Sequence, residues 1–202
     1  MYHVRKERLY FYCTVLSNSL QQGTFSPKPS YSVIAIGIRQ AGKSMLFAKL
    51  SGTILKKLEP TVGFSVKAVQ LPSAILNVKE LGGKYMTAKL LVFVVDSCCN
   101  DGNVDLAAAE LQEVLSYSSL ESLPLPVLAN KQDVNGARSA DELSGAGLEM
   151  LSRMMGLDAI ARKRNWHIQA CSKDDTESAK QGLSKLVSFI NPDTETSEQN
   201  RL

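Results

Sequence analysis

The residues SVIAIGIRQAGKSMLFAKL, from Ser32 to Leu50, decide the fold class of this chain. Their first part, residues 32–37, is a short apolar run rich in β-branched side chains, which is typical of a buried strand. Their last part, Lys43–Leu50, has apolar residues at helical spacing. Gly52 follows it, and glycine is common just past the end of a helix. Between strand and helix, residues 37–44 fit the pattern G-x-x-x-x-G-K-[ST]. The sequence therefore predicts a strand, a phosphate-binding loop and a helix in succession.

This loop has the chemistry to hold a nucleoside polyphosphate. Its glycines let the backbone curl until the N–H groups point at phosphate oxygens, and the following helix presents its N-terminus to the anion. Lys43 supplies a positive charge to the β- and γ-phosphates, and the Ser44 hydroxyl is placed for Mg²⁺. The residues predicted to contact phosphate or metal here are Gly37, Gln40, Ala41, Gly42, Lys43 and Ser44.

Strand and helix patterns alternate through the rest of the domain. Residues 65–71 and 74–79 are strand-like and meet at Pro72-Ser73, which predicts an antiparallel hairpin. The run LLVFVVD, Leu90–Asp96, is uninterrupted and apolar, as strands of parallel sheets are. Two more strands are predicted at residues 126–130 and 166–170, and helices over residues 107–115, 140–155 and 179–190. We therefore predict an α/β domain with a doubly wound, mostly parallel sheet and one antiparallel edge hairpin.

A second motif, Asn130-Lys131-Gln132-Asp133, directly follows a predicted strand. The Asp133 carboxylate can accept two hydrogen bonds from the N1–H and 2-amino groups of guanine, a donor pair that adenine lacks. Asn130 would brace the loop, and the Lys131 stem can lie over the purine ring. Downstream of a phosphate-binding loop, this motif predicts guanine recognition.

Two further segments are placed to contact the terminal phosphate. Thr61, in Pro60-Thr-Val-Gly-Phe64, lies in a loop between helix and hairpin and can bring its hydroxyl to Mg²⁺. Gly83 ends Glu80-Leu-Gly-Gly83 after the hairpin, and this glycine pair can approach a γ-phosphate closely.

With these motifs, the chain resembles the ADP-ribosylation factor and Arf-like branch of the Ras-type small GTPases over residues 31–190. The resemblance rests on GIRQAGKS, PTVGFSV, ELGG, LLVFVVDS, LANKQD and NWHIQACS. It implies a P-loop GTPase fold, GTP or GDP with Mg²⁺ as ligands, and a regulatory switch that engages effector or regulator proteins. It also implies that Ser172 and Lys173 belong to the last guanine-contacting loop. Lys173 replaces the family's usual Ala, so only a main-chain role carries over.

Three departures from the family pattern bear on catalysis. Glu80 replaces the Asp that holds a Mg²⁺ water, which places Glu80 beside Ser44 and Thr61 in the expected metal site. Lys84 replaces the Gln that orients the attacking water, and an ammonium offers no acceptor for that task. Only residues 84–89 separate Gly83 from the strand LLVFVVD, where the family has a full helix. We expect this sheet-covering helix to be missing and GTP hydrolysis to be impaired.

The short segment is compatible with a closed fold. Parallel strands usually need a crossover of a dozen or more residues, and residues 81–89 provide nine. Fully extended, such a segment spans about 30 Å, enough to run back along a strand of about 17–20 Å. One sheet face would then lose its cover and expose apolar surface.

Two other functions remain open at this point. A pseudo-GTPase interaction module, which includes the case of a splice-shortened form, is the first alternative, because Lys84 and the missing helix both favour weak switching. A P-loop small-molecule kinase is the second, although N-K-Q-D and the hairpin argue against it.

Length and composition exclude several other classes of protein. The 202 residues suit one domain, predicted at 31–190, with an N-terminal arm and linker at 1–30 and a flexible tail at 191–202. A net charge of +3 does not favour nucleic-acid binding, and no apolar run approaches the roughly 20 residues of a transmembrane helix. Four scattered cysteines favour reduced thiols over zinc or disulfides. We expect a cytoplasmic monomer whose short basic arm gives weak or no membrane binding.

Overall fold

A computed structural model describes residues 27–54, 64–81, 90–120, 122–137 and 164–191. The described residues form one six-stranded sheet and three α-helices. The strands are β1 (Ser30–Ile36), β2 (Phe64–Gln70), β3 (Ile75–Leu81), β4 (Leu90–Asp96), β5 (Leu125–Asn130) and β6 (Trp166–Ala170). The helices are α1 (Lys43–Leu50), α2 (Asp101–Leu115) and α3 (Thr176–Ile190), with a 3₁₀ turn at Ser118–Leu120.

The strand order is β2-β3-β1-β4-β5-β6, and each neighbouring pair is parallel except β2–β3. The antiparallel pair lies at the edge, as the hairpin prediction required. Strand β1 is central, because Val33 is in register with Val78 on one side and with Leu90 on the other. The predicted doubly wound α/β fold is therefore confirmed.

The helices cover both faces of the sheet because strand residues alternate between two cores. Val33 and Val92 belong to the core that includes Phe47 of α1 and Leu183 of α3. Their neighbours in sequence belong to the core that includes Leu111 of α2, as Ile34 does. The six buried residues that begin β4 supply both cores, which explains why its sequence is continuously apolar.

Helix α2 begins at Asp101, earlier than the predicted start at Ala107. The Asn100 side chain accepts a hydrogen bond from the Asn103 N–H at 2.9 Å and so caps the first turn. The apolar stripe used for the prediction lies farther along the helix, where Leu111 and Val114 are buried. The helix therefore includes a capped first part that the periodicity of apolar residues alone does not predict.

The register shortens the path from β3 to β4. Glu80 lies beside Ala35 of β1, and Leu90 lies beside Val33 on the other side. The chain thus returns by two residues, about 7 Å, and crosses two strand spacings of about 4.8 Å each. Residues 81–89 reach up to about 30 Å, so they close this gap more easily than the full-strand return estimated from sequence.

The described residues of β2 and β3 show part of the sheet face that we expected to lose its cover. On the α2 side of the sheet these strands present Val66, Ala68, Gln70, Ile75, Asn77 and Lys79. Val66, 48% exposed, is the one large apolar side chain exposed among them. The expectation stays a prediction, because residues 82–89, which follow β3, lie outside the described residues.

Several predicted segments lie outside the described residues. They are the arm at 1–26, Thr61 in its loop, Gly83 and Lys84 with the short segment to 89, the helix at 140–155, and the tail from 192. No helix in the described ranges is long and apolar enough to cross a bilayer. Cys98 and Cys171, both in the described ranges, carry free thiols.

Candidate nucleotide-binding site

The loop between β1 and α1 has a backbone that only a glycine-containing turn adopts readily. Gly37, Gln40 and Gly42 have φ values of 138°, 65° and 88°. A Cβ atom on Gly37 would lie 2.1 Å from the backbone carbonyl oxygen of Val94 in β4. The loop therefore packs directly on the neighbouring strand, and its first glycine is required by that contact.

Lys43 begins α1 and folds back into this loop. Its ammonium donates hydrogen bonds to the carbonyl oxygens of Gly37 and of Ile38, the latter at 2.9 Å. Burial lowers the pKa of Lys43, although the carboxylates of Glu110 and Glu80 act in the opposite direction. The charge is thus held within the loop, where the sequence places the β- and γ-phosphates.

Ser44, Glu80 and Lys67 form a buried polar cluster beside the loop. The Ser44 hydroxyl donates to Glu80 Oε2 at 2.5 Å. Glu80 Oε1 pairs with the ammonium of Lys67, which also donates to Ser65 Oγ at 3.0 Å. Glu80 is 3% exposed and Lys67 is 9% exposed. A carboxylate predicted to serve a metal is therefore already paired with a lysine.

The described residues fit Mg²⁺ only in part. A hydroxyl that donates its proton still carries acceptor lone pairs, so the Ser44–Glu80 hydrogen bond is compatible with metal ligation by Ser44. The charge of Glu80, however, is balanced by Lys67. No group of three or more His, Cys, Asp or Glu side chains in the described ranges could hold a metal, and Thr61 lies outside those ranges.

The loop after β5 joins the phosphate-binding loop through Asn130. Its side-chain Nδ2 donates to the carbonyl oxygen of Ala41 at 2.9 Å, and a Cβ atom on Gly42 would lie 2.4 Å from the same nitrogen. The buried Asn130 Oδ1 has no hydrogen-bond partner among the described residues. The two predicted ligand-binding motifs, far apart in sequence, are therefore in direct contact.

Lys131 connects the same loop to β4. Its backbone φ is 68°, and its ammonium pairs with Asp96 Oδ2 at 2.6 Å. A Cβ atom on Gly42 would lie 3.6 Å from Lys131 Cε, so the lysine stem passes beside the phosphate-binding loop. This path leaves the apolar stem, rather than the ammonium, next to the site where a purine ring was predicted.

Asp133 and Lys173 meet across the predicted guanine site. The Lys173 ammonium pairs with Asp133 Oδ2 and donates to Asp174 Oδ2 at 2.7 Å. The hydrogen bond from Lys173 lowers the pKa of Asp133, and the two aspartates raise the pKa of Lys173 to about 12. The side chain of Lys173 thus contacts Asp133, whereas the family pattern implied only a main-chain role for this residue.

Ser172 shapes the loop that carries Lys173. Its buried Oγ accepts hydrogen bonds from the Asp174 and Asp175 N–H groups, at 3.2 Å and 3.0 Å. The preceding Cys171 donates its N–H to the Ala129 carbonyl of β5 at 2.9 Å. The loop is therefore fixed to the strand that leads into N-K-Q-D.

Sequence reasoning missed three contributions to this site. Lys67 and Asp96 were assigned no role, and Lys173 was assigned a main-chain role only. For Lys67 the sequence did contain a signal. This residue lies two residues before Val69, so the two side chains share the inward face of β2. Another existed for Asp96, a carboxylate at the carboxyl end of a buried parallel strand, where ligand sites form.

Comparison with known proteins agrees with this geometry. The profile of the ADP-ribosylation factor family matches residues 17–190. ADP-ribosylation factor-like protein 15 from Bos taurus is 35% identical over 173 residues, covering 81% of this chain and 82% of that protein. ADP-ribosylation factor-like protein 3 from Caenorhabditis elegans is 34% identical over 172 residues, covering 79% of this chain and 88% of that protein.

A solved structure supports the fold independently. The Arl6 BBS3 small GTPase from Trypanosoma brucei, with bound nucleotide analogue GppNp, superposes with a TM-score of 0.64 at 20% identity. The match covers 79% of this chain and 96% of that structure. At this identity the likeness shows the fold, whereas the family profile and the relatives show descent. The chain belongs to the ADP-ribosylation factor family, in its Arf-like small GTPase branch.

Proposed function

We propose that this protein binds GTP and GDP between the β1–α1 loop and the N-K-Q-D loop, and acts as a regulatory switch whose GTP hydrolysis is impaired. The observation that carries the proposal is the contact of Asn130 with Ala41 and Gly42. The contact holds the β1–α1 loop and the N-K-Q-D loop side by side, which supports one nucleotide spanning both. The bound GppNp of the Trypanosoma brucei relative supports the same ligand class.

The proposed loss of hydrolysis rests on the segment after β3. An ammonium such as that of Lys84 has donors but no acceptor, so it cannot orient an attacking water. A short segment also offers little support for holding a catalytic group rigidly, and rigid placement supplies much of its catalytic value. A positive charge there would stabilise bound phosphate in the ground state without raising the rate.

Mg²⁺ is part of this proposal, with Ser44, Thr61 and Glu80 as the residues that would hold it directly or through water. The ion would neutralise charge on the β- and γ-phosphates when bound. We further propose that the protein works in the cytoplasm as a monomer, engages effector or regulator proteins, and binds membranes weakly or not at all through its basic arm. Family membership argues against the P-loop small-molecule kinase.

A pseudo-GTPase interaction module is the second candidate. Two lysine contacts favour it: Lys173 pairs with Asp133, and Lys67 pairs with Glu80. Both carboxylates expected to serve the nucleotide and its metal are thus engaged by side chains of this chain. A protein whose nucleotide binds constitutively, or not at all, would tolerate such contacts.

Nucleotide content and titration separate the two candidates. The purified full chain is denatured and its nucleotide identified by chromatography, and the emptied chain is titrated with fluorescent GDP, GTP and ATP. We expect guanine nucleotides to bind in preference to ATP. Lys43→Ala should lose most of the affinity, because a charge-assisted contact is removed. Lys49→Ala, on the exposed side of α1, is the matched control. The absence of nucleotide binding by the parent chain would favour the interaction module.

Single-turnover hydrolysis tests the catalytic part. Chain loaded with GTP should show very slow conversion to GDP. Turnover equal to that of an ordinary Arf-like protein, or strong activation by a partner that supplies an arginine, would show that another residue positions the water. The Lys84 argument would then fail while nucleotide binding stands.

A further inference from the structure

We propose that Lys67 supplies positive charge at the metal side of the phosphate site, so that nucleotide binding by this protein depends only weakly on Mg²⁺. This inference rests on the proposed nucleotide-binding function. Lys67 belongs to none of the sequence motifs. It acts indirectly, by holding and neutralising the Glu80 carboxylate, and is therefore a positioning residue. The structural basis is the cluster in which one carboxylate is shared by the Lys67 ammonium and the Ser44 hydroxyl.

The β2–β3 register directs Lys67 into this cluster. Lys67 is paired with Val78, and the neighbouring pair on the same face is Ser65 with Glu80. Cross-strand partners and their diagonal neighbours share one face of a sheet, so Lys67 reaches Glu80 diagonally and Ser65 along its own strand at 3.0 Å. The position of the ammonium is thus set by backbone pairing as well as by charge.

Burial keeps the ammonium there. Lys67 is 9% exposed and its carboxylate partner is 3% exposed. A buried charge is costly unless it is paired, and removing one member of a buried pair leaves the other uncompensated. The lysine therefore cannot turn out to solvent cheaply when a nucleotide or a metal arrives.

The consequence for a divalent cation is electrostatic. Only the Glu80 carboxylate separates the Lys67 ammonium from the Ser44 hydroxyl. A cation ligated by Ser44 would meet a carboxylate that is already neutralised, and like charges at short range repel strongly in a partly buried site. The phosphates, by contrast, would face Lys43 within the loop, and Glu80 would repel them little because Lys67 already balances its charge, so they would need less charge from a metal.

The test compares GDP affinity of the full chain in Mg²⁺ and in EDTA. We expect removal of Mg²⁺ to weaken GDP binding of the parent by less than about tenfold, or about 1.4 kcal/mol. Lys67→Gln keeps a hydrogen-bond donor for Glu80 but removes the charge. Its affinity ratio between Mg²⁺ and EDTA should exceed that of the parent by at least about tenfold, mainly through weaker binding in EDTA.

Lys79→Gln is the matched control. Lys79 is the same residue type next to Glu80 in sequence, but it is paired with Val66 and lies on the opposite face of the sheet. For Lys79→Gln, the ratio of GDP affinity in Mg²⁺ to that in EDTA should equal the ratio of the parent. If Lys67 had a purely structural role, Lys67→Gln would instead lower the GDP affinity equally in Mg²⁺ and in EDTA. Circular dichroism verifies that each variant is folded.

A measurement on the parent alone avoids dependence on any variant. Mn²⁺ binding to the GDP complex, followed by electron paramagnetic resonance, should be weak and substoichiometric. Tight stoichiometric Mn²⁺ binding, a parent ratio above about tenfold, or an unchanged ratio in Lys67→Gln would each overturn the inference. If GDP binds in neither condition, the proposed function itself fails, which is a different result.

Discussion

The ammonium of Lys173 is paired with the carboxylate of Asp133, 40 positions earlier in the chain. The two side chains come from the loops after β6 and β5, which the parallel pairing of those strands brings together. Lys173 is 41% exposed and Asp133 is 21% exposed, so the pair lies at the rim of the site. The carboxylate that would select guanine thus has a competing donor in the same chain.

Lys173→Ala should raise the affinity for GDP modestly, by about two- to fivefold, because an exposed ion pair contributes little and its removal leaves Asp133 to the base. Fluorescent GDP titration measures the change. Lys180→Ala is the control, since Lys180 forms an exposed ion pair with Glu177 within α3. A loss of affinity in Lys173→Ala would show that the ammonium itself contacts the nucleotide.

Asp133→Asn should weaken GDP binding by at least about tenfold, because a hydrogen bond to a charged group is lost and the amide presents a donor where guanine also donates. Xanthine nucleotides, which carry an acceptor at that position, should then compete. Competition titration with both bases measures the switch, and Asp174→Asn, which also loses a contact to Lys173, is the control. Unchanged GDP affinity would remove Asp133 from the site.

Gly37→Ala should lower the free energy of unfolding by about 2 kcal/mol or more. The φ of 138° is strained for alanine, and the new Cβ atom would lie 2.1 Å from the Val94 carbonyl oxygen. Gly52→Ala is a comparison without the steric term: Gly52 has a φ of 68°, where alanine is less strained than at 138°, and no atom lies within 4 Å of a built Cβ. Urea unfolding compares them, and equal losses would mean that the contact with β4 is absent.

His167 should make the fold sensitive to acid. Burial lowers its pKa from 6.5 to about 4, although its ring donates to the Gly182 carbonyl at 2.9 Å. Because the unfolded state takes up the proton first as the pH falls, stability is lost from about pH 6.5 down to about pH 4. His167→Gln should reduce the loss between pH 7 and pH 5 by about 1–2 kcal/mol, after allowance for solvent screening. Urea unfolding at both pH values measures this, and identical losses in parent and variant would exclude His167.

The main strands and helices could be predicted because their patterns are local. Lys43–Leu50, Leu90–Asp96 and Trp166–Ala170 have the predicted bounds, since spacing of apolar residues reports which face each element buries. The start of α2 was missed because a single side chain, Asn100, caps it. The distance that residues 81–89 must span between β3 and β4 could not be predicted either. It depends on the register of Leu90 against β1, which no short sequence pattern specifies.

The sequence by itself determined the family, the strand–loop–helix unit around Lys43, and the residue types offered to phosphate and to guanine. All three depend on residues that are close together in the sequence, because the conformation of a glycine and the period of a helix are set within a short segment. Only the tertiary structure decided that Lys67 pairs with Glu80 and that Lys173 pairs with Asp133. Those pairs join residues 13 and 40 positions apart. An ammonium pairs with the carboxylate that hairpin register or strand order brings within reach.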